Sequence, residues 1–76
     1  MTTKIMIQLS RAEALVLFDW ITSAEEAEKL PVSHPAEERV LWELEAQLEH
    51  ALSEPFASNY KELLAAAREE ILRNEQ

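Results

Sequence analysis

The sequence predicts a mainly α-helical fold: a small three-helix domain preceded by one short N-terminal β-strand, the strand pairing with its copy across a homodimer. Three observations predict it. Apolar residues recur at helical spacing through three stretches divided by prolines, one stretch near the start alternates with the two-residue period of a strand, and the 76-residue chain contains no glycine. A chain this short forms one domain, 1–76, that buries only roughly 60% of its unfolded surface and needs a staple to be stable. With no cysteine, disulfides and thiolate zinc sites are excluded, and two histidines leave little for another metal. No cofactor or metal is expected. The remaining staple is a partner subunit, so a homo-oligomer is expected, a dimer first.

Ile5, Ile7 and Leu9 alternate with Lys4, Met6 and Gln8, which predicts the strand over about 4–9. A lone strand leaves its backbone donors and acceptors unpaired unless it meets another copy of itself. Ser10-Arg11-Ala12-Glu13 fits a capping box and opens a first helix over about 11–28. Ala14, Leu15, Leu17, Phe18 and Ile21 cover one broad face, while Val16 and Trp20 lie on the far side, so this helix is expected at the centre, buried on two sides. Ile5, Ile7, Leu9, Val16 and Trp20 are the candidate self-association residues.

Two prolines, Pro31 and Pro35, break the chain, with Ser33 and His34 as candidate caps. Pro35 suits a first helical turn, and Glu37 and Glu38 sit where carboxylates favour the positive end of the helix dipole. Val40, Leu41, Leu44, Leu48, Ala51 and Leu52 form the stripe of a second helix over about 35–53. Pro55 and Phe56 interrupt it. Asn59 with Glu62 suggests a second capping box for a third helix over about 59–73, which turns Tyr60, Leu63, Leu64, Ala67 and Ile71 inward and frays through residues 73–76.

The missing glycine closes the usual frames for nucleotide and acyl-transfer chemistry. Walker-type loops, dinucleotide-binding turns and the nucleophile elbow all need it for positive φ or close backbone approach. No secretory or membrane signal follows Met1, and the longest apolar stretch, Ala14 to Ile21, is broken by Asp19. With no disulfide to protect, a cytoplasmic location is expected, with no membrane partner.

The formal net charge of −8 is unevenly spread. The residues from Met1 to Ala24 balance to zero, those from Glu25 to Glu54 carry −7, and those from Pro55 to Gln76 carry −1. This acidity is either a solvated face that keeps a small protein soluble, or a docking surface for a basic protein, or a mimic of a phosphate backbone. His50 lacks a Glu three residues before it, which removes the di-iron helix motif, and His34 reads as a cap or turn residue. Asp19 is either an exposed member of a polar strip with Arg11, Thr22 and Ser23, or a buried carboxylate paired with an arginine from another helix or subunit. No nucleophile–base pair is recoverable, so no enzyme activity is expected.

Trp42 points roughly 160° away from Leu44, the middle of the second helix's stripe, and its neighbours on that side include Glu38, Glu45 and Glu49. A tryptophan ringed by carboxylates suits an interface anchor with a polar rim. Alternatively, the wide first helix covers it. Trp42, Glu38, Glu45 and Glu49 are the candidate partner-binding residues.

The segment Lys4-Ile5-Met6-Ile7-Gln8-Leu9-Ser10 followed by a helix resembles the start of ribbon–helix–helix DNA-binding proteins, over the first twenty residues or so. The resemblance implies that two strands pair across a dimer and enter the major groove, with Lys4, Met6 and Gln8 as the base-reading positions. The acidic second helix and the appended third helix depart from that pattern, and a charge of −8 opposes DNA binding. The leading expectation is therefore a non-catalytic acidic module that self-associates and binds a basic protein, in the manner of an antitoxin, immunity protein or accessory subunit. A dimeric ribbon–helix–helix-like transcriptional regulator is the alternative.

Overall fold

Ser10 starts the first helix through reciprocal bonding. Its Oγ accepts from the Glu13 amide at 3.0 Å, while the Glu13 carboxylate accepts from the Ser10 amide at 2.8 Å. The computed structural model describes residues 3–73; of the fraying expected over 73–76, Arg73 is instead the last residue of a helix, and 74–76 lie outside the described residues. Its helices are α1 (Arg11–Glu26), α2 (Pro35–Ala51) and α3 (Tyr60–Arg73), with a 3-10 turn at Glu54–Phe56 before α3. The chain is mainly helical, with three helices.

The strand expected over 4–9 does not form within the single chain. Among the described residues there is no strand, and no backbone hydrogen bond reaches residues 3–9. The reason is physical: a strand exists through its ladder, and the chain holds only one segment of the right period.

Helix α1 ends earlier than its apolar pattern suggests. The Glu28 amide donates to the Glu25 carbonyl at 3.0 Å and the Lys29 amide to the Ala24 carbonyl at 2.8 Å, with Glu28 in the left-handed region at φ 56°. This is the Schellman arrangement, which usually places glycine where Glu28 stands, and a side chain there costs about 1–2 kcal/mol. At the start of α2, His34 Nδ1 accepts from the Ala36 amide at 3.0 Å, Pro35 follows in the first turn, and the Ser33 amide donates to Glu37 Oε1 at 2.7 Å. Helix α2 closes at Ala51 because Leu52 turns extended and buries its side chain. Asn59 serves α3 through its backbone carbonyl, which accepts from the Glu62 and Leu63 amides at 3.1 Å.

Helix α1 is central and packs on both α3 and α2, most extensively on α3. The core joins Leu15, Phe18 and Ile21 of α1 to Leu64 and Ala67 of α3, and to Leu48 and Leu52 at the end of α2. Ile21 is fully enclosed. Each such aliphatic side chain contributes about 1.5–3 kcal/mol on burial. Along the α2 stripe only Leu48 and Leu52 are buried: Leu41 and Leu44 are half-buried, Ala51 is exposed and Val40 is 66% exposed.

Polar clasps close the α3 side. Tyr60 donates its hydroxyl to Asp19 Oδ1 at 2.7 Å, and Arg68 Nη2 lies 3.6 Å from Asp19 Oδ2. Asp19 is thus half-buried and paired with an arginine of another helix, so the reading that left it on an exposed strip gives way. Arg11 grips Glu54 with two parallel bonds of 2.9 Å, and its Nη2 also donates to Ser53 Oγ at 3.3 Å. Among the described residues, no helix is long and apolar enough to cross a membrane.

Candidate functional site

The route of the loop after α1 builds a cleft. Because Glu28 turns the chain left-handed, residues 28–32 pass beside the first half of α2. Leu30 and Val32 there face a cavity of about 520 Å³ that they share with Glu25 and Glu28 on one side and Glu38, Trp42 and Glu45 of α2 on the other. That volume lies in the range of ordinary ligand sites. Trp42 is 48% exposed, so its indole forms a wall of the cleft rather than part of the core.

Two of the four glutamates lean on each other. Burial first, then a hydrogen bond with Glu25 and the charges of Glu25 and Glu49, raise the Glu45 pKa above the ordinary carboxylate value. Two carboxylates have no proton to donate, which leaves Glu25 Oε2 buried without a donor. The two carboxyls face each other across α1 and α2, and this crowding is what holds the Glu45 value up.

Three of the four partner-binding residues expected from sequence line this cleft: Trp42, Glu38 and Glu45. Glu49 lies a turn beyond and acts on Glu45 through its charge. Sequence reasoning missed Glu25, Glu28, Leu30 and Val32. Their signal was present only as the start of the acidic segment and as two apolar residues in a proline-flanked loop. Among the described residues, no group of three or more His, Asp or Glu side chains is placed to hold a metal ion.

The self-association residues fall in different places. Ile5 and Ile7 are 84% and 77% exposed, Leu9 is 43% exposed, and Trp20 is 51% exposed. Val16 is half-buried against the chain's own core. The alternative DNA-contacting residues Lys4, Met6 and Gln8 are all exposed.

No family model matches the chain, and no curated protein or solved structure matches it.

Proposed function

We propose that the chain is a non-catalytic protein–protein interaction module that self-associates, its N-terminal segments pairing as strands, and that binds a basic protein through the Trp42 cleft. One observation carries the reading: a half-exposed indole shares a cavity with four glutamates. An indole face attracts an ammonium or guanidinium group. The surrounding carboxylates supply the opposite charge, which speeds encounter and selects the partner. Leu30 and Val32 offer apolar surface for the methylene stem of a lysine or arginine. A cation entering the cleft also gives Glu25 Oε2 a hydrogen-bond donor. Blocking or tethering a basic protein, as an antitoxin, immunity protein or accessory subunit does, requires nothing more.

The test is a calorimetric titration with a lysine-rich peptide at low and high salt. Trp42→Ala is expected to keep its helical circular dichroism and to weaken binding by about 2 kcal/mol, roughly thirtyfold. Equal affinity in a folded Trp42→Ala chain removes the cleft from the reading. The alternative, a dimeric DNA-binding regulator, draws on the exposure of Lys4, Met6 and Gln8. It requires retention on duplex DNA that falls steeply with salt and that Lys4→Ala and Gln8→Ala reduce. Against it, Arg11 is already committed to Glu54.

A further inference from the structure

The flank of the molecule beside the N-terminal segment is left open. A cavity of about 630 Å³ separates Ile5 and Ile7 from Leu17 of α1 and from Leu44 and Ala51 of α2. The apolar surface continues from there. Ile7 and Leu44 share a second hollow with Val40, and Val40 shares a third with Trp20.

We infer that a second copy of this chain covers this strip, the two N-terminal segments pairing antiparallel about a two-fold axis as a ribbon that closes the cavity. The inference rests on the self-association proposed above and names its surface. Four features favour a second copy as the occupant. First, the backbone of residues 3–9 has no hydrogen-bond partner among the described residues, and what satisfies an extended backbone is another one. The same segment of a second copy supplies it, over about 20 Å for residues 4–9.

Second, the chain exposes 6437 Å², against about 4,700 Å² for a compact monomer of its mass. The excess, on the order of 1,700 Å², covers the roughly 800 Å² per partner that a stable dimer buries. Third, the segment from Met1 to Ala24 is the electrically balanced part of a chain of net charge −8, so the paired segments themselves add no net repulsion, although the strip's α2 residues belong to the stretch that carries −7. Arg39 and Glu43 on the rim of the second hollow provide one charge of each sign, which a two-fold axis can cross-pair. Fourth, Ile5, Met6, Ile7 and Leu9 all line the cavity while Lys4 and Gln8 do not, so the segment's apolar residues border the strip that a second copy covers. Glu25, Glu28, Glu38, Trp42 and Glu45 of the cleft lie outside this strip, which meets the cleft at Val32.

Sedimentation equilibrium and amide hydrogen exchange test this together. The wild-type chain is expected at twice its 8.7 kDa mass, with amides in 4–9 becoming protected as protein concentration rises through the dissociation constant. Ile7→Lys should raise that constant at least about a hundredfold, while Gln8→Lys should leave it within about threefold. Wild-type protein that stays monomeric at millimolar concentration overturns the inference. So does a dimer whose 4–9 amides exchange freely, or an Ile7→Lys chain that dimerises as before. Should Ile7→Lys fail to fold, the exchange pattern of the wild-type chain decides alone. Trp42→Ala should not change the mass, and folded Ile7→Lys should still bind the lysine-rich peptide, so this inference and the cleft reading fail separately.

Discussion

Toward α3, helix α1 meets a surface held by side-chain packing and by the Asp19–Tyr60–Arg68 and Arg11–Glu54 clasps, with a hollow of about 220 Å³ beside Arg11; toward α2, it borders larger cavities of about 520 and 630 Å³. The closed side spends its polar groups on each other. The open side leaves Trp42, Trp20 and Val40 in contact with solvent and brings Glu25 and Glu45 together. One helix thus separates a tightly clasped side of the molecule from a more open one. The two sides also answer acid with opposite signs. The Arg11 guanidinium holds the Glu54 carboxyl below its ordinary value, whereas burial and Glu25 hold Glu45 above it.

The largest effect expected from this contrast is in the core. Leu64→Ala on the closed side should cost about 2–5 kcal/mol in a denaturant titration. Leu44→Ala on the open side should cost less than half as much in dilute protein, with a further loss that grows with concentration. Equal losses at low concentration would break the contrast.

Next comes the Asp19 clasp, where Tyr60→Phe should cost about 1–1.5 kcal/mol. Burial and the Asp19 carboxylate push the Tyr60 phenol up to about 12. Its folded value lies above its unfolded one, so the linked stability is complete below pH 10 and is lost as pH rises toward 12. Alkaline unfolding of Tyr60→Phe should lack that component.

The smallest and most diagnostic effects lie in acid. Arg11→Ala should cost about 0.5–1 kcal/mol near neutrality, because the paired Glu54 has a lowered value. That contribution is present above the unfolded carboxylate value and is lost as pH falls through the folded one. Glu45 runs the other way: its contribution is complete below the unfolded value of 4.5 and is lost as pH rises through the raised one. Glu45→Gln should therefore raise the melting temperature at pH 7 and abolish the gain on mild acidification. A Glu45→Gln chain less stable than wild type at pH 7 would show that the carboxyl pair is not strained.

Local chemistry was readable in the sequence, and contacts between distant segments were not. The Ser10–Glu13 cap, Pro35 in its first turn and the central placement of α1 follow from neighbours within a few residues, and they stand as expected. Trp42 with Glu38 and Glu45 was readable for the same reason, since one helix sets their common face. Glu25 and Glu28 were not, because their place in the cleft depends on a left-handed turn at a residue that is not glycine. Asp19 could not be settled from sequence, since its partners Tyr60 and Arg68 arrive only when α3 docks. The α2 stripe predicted Val40 as inward, yet how far a stripe is covered depends on the neighbouring surface, and that surface stops short of Val40. The ladder expected over 4–9 needs a second backbone, and one chain does not contain it.

The division along α1 has a spectroscopic consequence. Both tryptophans of the chain, Trp20 and Trp42, border hollows on the α2 side, while its one tyrosine, Tyr60, is held against Asp19 on the α3 side. Indole fluorescence therefore senses only the open half, and phenolate absorbance in alkali only the closed half. Each half carries its own optical reporter, and their loosening can be timed separately in the unlabelled protein.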